Sequence, residues 1–183
     1  MAFAAKIIFS APAFIFATDN SMKMPAPDQA VLARRGELIR ALEAIVPGEG
    51  VISDADALSV YESDGLTAYR QRPLATVLPE TVEQISQILK SCGGLGVKVV
   101  PRGAGTSLSG GALPIEDGII LGLGKFNRVL EIDFENRCAV VQPGVTNLGI
   151  TKAVEHEGFY YAPDPSSQIA CTIGGNVAEN AGG

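Results

Sequence analysis

The groups in this chain best suited to chemistry are the backbone amides and small hydroxyls of Pro101 to Gly111, PRGAGTSLSGG. Gly103, Gly105, Gly110 and Gly111 permit positive φ and carry no Cβ, so consecutive N–H groups can converge on an anion. Thr106, Ser107 and Ser109 add hydroxyl donors, and Arg102 adds a guanidinium. The chemistry best served is a phosphate or pyrophosphate. A nucleoside-triphosphate loop would need Lys-Ser or Lys-Thr after its last glycine, where Ala112 and Leu113 stand. A G-x-G-x-x-G dinucleotide fingerprint laid on Gly103 and Gly105 would need glycine at Leu108, and no amphipathic helix opens directly behind the loop. The remaining alternative is a glycine-rich hairpin or linker that binds nothing.

A second stretch, Tyr160 to Gly183, reads YYAPDPSSQIACTIGGNVAENAGG. Pro163 and Pro165 impose an extended path, Ser166 and Ser167 offer hydroxyls, and Gly174-Gly175 permits another close backbone approach. Asn176 and Asn180, one helical turn apart, can present amides on one face to the polar edge of a ring or sugar; the plainer reading is an ordinary helix start. The single histidine, His156, lacks a partner for metal binding or catalysis and suits a surface helix position. Cys92, Cys138 and Cys171 are widely spaced, odd in number and without metal-ligand spacing, as expected of reduced, buried thiols in a cytosolic protein.

The elements that must position these stretches follow from periodicity. From Asp28, Val31, Leu32, Leu38, Ile39, Leu42 and Ile45 recur at helical steps until Pro47-Gly48. Asp54 is placed to cap a short helix through Leu58 to Tyr61, and Gly65 to Pro73 reads as an extended connector. Nothing in this first third looks catalytic. Ala75 to Pro79 reads as a strand, and Thr81 to Cys92 as a helix with Thr81 and Gln84 at capping-box spacing. Its apolar face is expected at Val82, Ile85, Leu89 and Cys92, with Gly93-Gly94 as its stop. A strand over Val97 to Val100 then feeds the glycine-rich loop, so a βαβ-like unit carries the loop at a strand's carboxyl end, where ligands collect. Ile119 to Leu123 is a third strand. Arg128 to Ile132 and Cys138 to Gln142 form a hairpin. Thr146 to Glu157 is a helix with Leu148, Ala153 and Val154 inward and Gly158 as its stop.

With 183 residues and 46% hydrophobic content, the chain can build a core. Lys and Arg number 14 against 20 Asp and Glu, a net charge of −6 with no basic cluster, which argues against a nucleic-acid surface. The apolar stretch from Met1 to Ala17 has a single early lysine and an interrupting proline, and is too short to span a bilayer. It reads as a weak signal core or as residues preceding a true start at Met22 or Met24.

Taken together, PRGAGTSLSGGALP, VVQPGVTN and YAPDPSSQIACTIGGNVAENAGG resemble the FAD-binding domain of the vanillyl-alcohol oxidase and p-cresol methylhydroxylase (PCMH) type. They resemble more closely the D subunit of bacterial glycolate oxidase and FAD-linked D-2-hydroxyacid dehydrogenases. The resemblance covers roughly Val51 to Gly183. It implies an α+β fold, a βαβ-like subdomain plus a mixed sheet with helices, here truncated. The organisation it suggests is a disordered or untranslated extension over 1–27, a helical segment over 28–66, and the FAD-binding domain over 67–183, incomplete at its C-terminus.

The same resemblance assigns the FAD pyrophosphate to Arg102, Gly103, Ala104, Gly105, Thr106, Ser107, Leu108, Gly110 and Gly111. It places Gly144 in a turn near the adenosine end, and Pro163, Ser166, Ser167, Thr172, Gly174, Gly175 and Asn176 around the rest of the flavin. Some members attach FAD through a histidine at the end of the first loop; Gly110-Gly111-Ala112 here implies non-covalent FAD. The implied reaction is hydride transfer from the α-carbon of a 2-hydroxy acid to the flavin, with glycolate and D-lactate left open. The family's base and carboxylate-binding groups lie in a cap domain and flavin segments downstream of Gly183, so no catalytic residue is assigned here. A flavin subunit and an iron–sulfur subunit are implied as partners, with a cytoplasmic location or a peripheral one at the inner membrane. The alternative is a non-catalytic nucleotide-binding module or an inactive gene fragment.

Overall fold

A computed structural model describes residues 24–181; the apolar stretch from Met1 to Ala17 lies outside them. Asp28 caps the first helix, α1 (Gln29–Ala33), its carboxylate accepting from the Ala30 amide at 2.8 Å, and α2 (Arg35–Ile45) follows at once. Val31, Leu38 and Leu42 lie on one helical stripe and are buried, so this segment packs into the main core rather than standing apart. A two-residue strand, β1 (Val51–Ile52), leads to α3 (Ala55–Leu58). The Asp54 carboxylate caps α3 through the amides of Asp56 and Ala57, and a 3₁₀ turn completes the segment at Tyr61.

The sheet beneath these helices is built from β1, β2 (Ala75–Val77), β3 (Lys98–Arg102) and β4 (Gly118–Gly122), in the order β1-β2-β4-β3. β1 runs antiparallel to β2, whereas β2 and β3 both run parallel to β4, which lies between them. Every residue of β4 is buried, as a continuous apolar run in a covered parallel strand must be. The crossover from β2 to β3 is α4 (Val82–Leu95), with Thr81 and Gln84 forming the predicted capping box.

Two expectations for α4 are corrected. The helix continues through Gly93-Gly94 and stops at Gly96, whose φ of 70° and amide bonds to Cys92 and Gly93 carbonyls make the left-handed cap. Its buried face is Ile88 and Cys92, with Ile85 beside them; Val82 is 67% and Leu89 48% exposed. The true stripe steps from 85 to 88 to 92, and Leu89 sits about 100° off Ile88 around the helix.

A second, two-stranded sheet pairs β5 (Val129–Asp133) with β6 (Cys138–Val141) as the predicted hairpin. α5 (Asn147–Val154) is capped by the Thr146 hydroxyl and passes into a 3₁₀ turn that Gly158 ends at φ 79°. Its buried positions are Asn147, Ile150 and Val154, with Leu148 and Ala153 only half covered. α6 (Ile173–Ala178) closes the described chain. The thiols divide: Cys92 and Cys171 are buried, but Cys138 is exposed, on the open side of the hairpin. Burial pushes the Cys92 thiol up to about 11. The architecture is α+β, as expected.

One buried carboxylate ties the N-terminal segment to the sheet. Asp117, in the turn before β4, is 3% exposed and accepts from Lys98 Nζ at 2.6 Å and from the Asp28 amide at 2.9 Å. Burial alone would raise its carboxyl, but the Lys98 ammonium and the backbone donors outweigh burial and hold it below the ordinary 3.8. A depressed folded value means the contribution is present above the unfolded value and is lost as pH falls through the folded one. Asp117→Asn is therefore expected to cost about 1–3 kcal/mol near neutrality. In melts across the acid range, the gap between wild type and variant should close below the ordinary Asp value. A gap that stays constant through that range would contradict this account.

Candidate functional site

The glycine-rich loop leaves the carboxyl end of β3 beside the end of β4; the Leu123 amide donates to the Arg102 carbonyl at 2.9 Å. Two glycines turn it, Gly105 at φ 71° and Gly110 at φ 79°. The Ser107 hydroxyl accepts from the amides of Ser109 and Gly111, each at 3.2 Å, and so closes the loop on itself. The amides of Gly103, Ala104, Gly105, Thr106, Ser107, Leu108 and Gly110 meet no acceptor among the described residues. The loop is thus a run of unspent donors on a fixed backbone, suited to a multiply charged anion.

Arg102 stands at its base. Its Nη1 donates to the Ser63 carbonyl at 2.8 Å and to the Ala112 carbonyl at 3.4 Å, and its guanidinium carbon lies 5.8 Å from the centre of the Tyr61 ring. Desolvation lowers its pKa, opposed by the charge of Asp64. The sequence suggests this cation as a phosphate partner; in the structure its Nη1 is taken up by protein carbonyls, while Nε and Nη2 meet no acceptor among the described residues. A Cβ on Gly105 would lie 2.6 Å from that guanidinium carbon, so Gly105 supplies room as well as a positive φ.

The other two motifs converge on this loop. Thr172 packs against Gly103 so closely that a Cβ there would collide with its hydroxyl. Thr172 also bridges Thr146 in antiparallel fashion, and the Ile173 and Gly174 amides donate to Val145 and Pro143 carbonyls at 2.9 Å. A Cβ on Gly174 would come within 2.9 Å of the Pro143 carbonyl oxygen, and one on Gly144 within 2.5 Å of the Leu123 carbonyl oxygen. Gly175 has Thr172 as its near neighbour, and Glu179 at the end of α6 reaches Gly111.

Pro163, Ser166 and Ser167 are brought to the same side through Asn147 rather than by touching the loop. Asn147 is fully buried; its side-chain amide donates to the Pro163 carbonyl and its backbone amide to the Cys171 carbonyl, both at 3.0 Å. The Ser167 carbonyl accepts the Ala170 and Cys171 amides at 2.8 Å, forming the turn before Thr172. Asn176 is buried on α6, and its amide nitrogen has no partner among the described residues, nor has the Asn147 side-chain oxygen. Asn180 does not stack beneath Asn176, because it lies past the end of α6 at φ 52°.

Sequence reasoning missed Tyr61, Asp64, Gly65 and Asn147. Asp64 is buried, its carboxylate accepting the Leu66 amide at 2.9 Å and the Ala112 amide at 3.3 Å. A Cβ on Gly65 would sit 2.6 Å from the Ser107 carbonyl oxygen. The Asp64-Gly65 pair is a turn signal, but nothing in a single sequence links it to a loop some forty residues on. His156 packs edge-on against Phe134, with ring centres 5.9 Å apart. Among the described residues no group of three His, Cys, Asp or Glu could hold a metal, and no helix is long and apolar enough to cross a membrane.

Comparison with known proteins gives this geometry a family. A family described as an FAD binding domain matches residues 73–183. The chain is 55% identical over 149 residues to glycolate oxidase subunit GlcD of Escherichia coli (strain K12), covering 81% of this chain and 30% of that protein. It is 34% identical over 146 residues to D-2-hydroxyglutarate dehydrogenase of Stutzerimonas stutzeri (strain A1501), covering 80% of the chain and 32% of that protein. Among solved structures, p-cresol methylhydroxylase with substrate bound superposes with a TM-score of 0.70 at 24% identity, over 82% of this chain and 30% of that one. An alkyldihydroxyacetonephosphate synthase gives 0.70 at 21%, over 85% and 30%, and shares the fold. The chain spans about 30% of the length of the curated relatives it matches. The free donors of the loop and the unpaired Asn176 amide fit a flavin nucleotide, and the chain belongs to the FAD-binding domain family.

Proposed function

We propose that this chain holds FAD non-covalently for a flavin-dependent oxidoreductase that oxidises a small 2-hydroxy acid, of the glycolate or D-lactate kind. The observation that carries the reading is the row of unspent amides from Gly103 to Leu108, set against Thr172 and the buried, unpaired amide of Asn176. Gly103, Ala104, Gly105, Thr106, Ser107, Leu108 and Gly110 take the pyrophosphate by backbone and hydroxyl donation beside the half-buried Arg102, with Gly111 closing the loop on Ser107. Gly144 lets the turn at the adenosine end pack tightly against the Leu123 and Phe126 carbonyls. Thr172, Gly174, Gly175 and Asn176 face the flavin portion, with Pro163, Ser166 and Ser167 shaping the wall through Asn147. When bound, FAD supplies the two-electron acceptor for the hydroxy acid. None of these residues is assigned as the base.

Non-covalent attachment is supported by Gly110-Gly111-Ala112, which offers no nucleophilic side chain where the first loop ends. The similarity to a glycolate oxidase subunit supports work within a multisubunit assembly, with flavin and iron–sulfur partner subunits, in the cytoplasm or at the inner-membrane face.

The test is reconstitution. Purified protein mixed with FAD should retain yellow flavin through gel filtration, and acid precipitation should release all of it into the supernatant. Anaerobic glycolate, D-lactate and D-2-hydroxyglutarate are then compared for bleaching of the flavin band in the assembled enzyme. Failure to hold FAD defeats the cofactor assignment, flavin pelleting with the protein defeats non-covalent attachment, and FAD retained without bleaching by any of these acids defeats the substrate class.

A further inference from the structure

We propose that Asp64 and Arg102 are positioning residues that pre-form the glycine-rich loop for the pyrophosphate, an inference that rests on the FAD reading above. The turn Ser63–Leu66 lies against the back of the loop and contacts it at four points. Asp64 accepts the Ala112 amide at 3.3 Å where the loop returns to the fold. The Ser63 carbonyl accepts from Arg102 Nη1 at 2.8 Å where the loop departs. Gly65 is so close to the Thr106 and Ser107 carbonyl oxygens that a Cβ would sit 2.8 and 2.6 Å from them. Leu66 packs beneath Gly110, 3.5 Å from where its Cβ would be.

Arg102 joins the two ends of the loop, because the same Nη1 that reaches Ser63 also reaches the Ala112 carbonyl at 3.4 Å. Its guanidinium fills the space that Gly105 leaves empty, and the Tyr61 ring covers it. The carbonyls and the ends of the loop are therefore occupied from behind, while the amides from Gly103 to Leu108 stay free. A loop of small residues and glycine would otherwise sample many shapes and lose that freedom on binding. The buried carboxylate and the half-buried guanidinium pay that ordering cost in advance, during folding, so that the donors are already aligned when the anion arrives.

Asp64→Ala and Asp64→Asn in the full chain test this, the asparagine keeping an acceptor for the Leu66 amide. FAD affinity is read by quenching of flavin fluorescence, and loop order by hydrogen exchange of the ligand-free protein. FAD binding by Asp64→Ala is expected to weaken about tenfold or more, the range of a lost charge-assisted hydrogen bond, and that by Asp64→Asn less. Exchange of the hydrogen-bonded loop amides, those of Ser109, Gly111 and Leu113, should accelerate while exchange in α4 stays as in the wild type. If Asp64→Ala does not melt cooperatively, Asp64→Asn carries the comparison. Unchanged affinity and loop exchange in a folded variant overturn the inference, as does acceleration spread equally into α4, which marks general loosening. A wild-type chain that binds no FAD defeats the cofactor reading and this one together, whereas tight wild-type binding that is unaltered in both variants defeats the brace alone.

Discussion

Gly105→Val should abolish FAD binding while leaving a cooperative melt. Gly105 sits at φ 71°, and a β-branched residue there pays a steric cost of about 1–2 kcal/mol from the backbone alone. The new Cβ also falls 2.6 Å from the Arg102 guanidinium carbon, so the guanidinium must leave its carbonyl partners or the loop must move. Either response displaces the free amides on which the proposed pyrophosphate site depends. The core residues Leu42, Ile88 and Ile119 belong to a different region, the packing of α2 and α4 on the sheet, and should hold. Titration of ligand-free protein with FAD, beside a thermal melt, separates the two effects. A dissociation constant within twofold of wild type would falsify the assignment of this loop.

The largest loss of stability is expected from Gly144→Ala. Gly144 does not need a positive φ; it needs the absence of a side chain. A Cβ there would lie 2.5 Å from the Leu123 carbonyl oxygen and 2.7 Å from that of Phe126, both backbone atoms that no rotamer change can move. The Gly144 amide itself donates to Phe126 at 2.7 Å, so the turn is held on the contact and has little room to yield. Overpacking of this kind costs about 3 kcal/mol, or roughly 6–12 °C in melting temperature for a chain of this size. Gly124→Ala is the matched control, because nothing lies within 4 Å of a Cβ at that position. Equal melting temperatures for the two variants would show that the turn is looser than the structure implies.

Much of the fold was legible because its signals are local. Thr81 with Gln84, Asp54, Thr146 and Gly158 each act within four residues, and each does in the structure what short-range hydrogen bonding dictates. The errors in α4 are of another kind. Gly93-Gly94 carries a local tendency to stop, but a helix whose Ile88 and Cys92 are buried against the sheet can carry two glycines at about 1 kcal/mol each. Which apolar stripe turns inward was decided by where α2 and the sheet lie, and so Leu89 was misassigned. Cys138 was misplaced for a related reason: strand alternation says that neighbours face oppositely, not which side is covered.

The site divides along the same line. From the sequence alone came the glycine-rich loop, its exclusion from two commoner nucleotide motifs, and the three motifs whose order marks the family, since these depend on residue type and spacing along the chain. Tertiary structure decided what stands behind them. It set Arg102 against Ser63 and Ala112 instead of leaving it as a free cation, brought Thr172 onto Gly103, left Asn176 buried with an unspent donor, and put Asp64 beneath a loop distant in sequence. A glycine's freedom of backbone is a local property. The partner that fills the space it leaves is chosen only when the chain returns on itself, because close packing acts between residues that sequence keeps far apart.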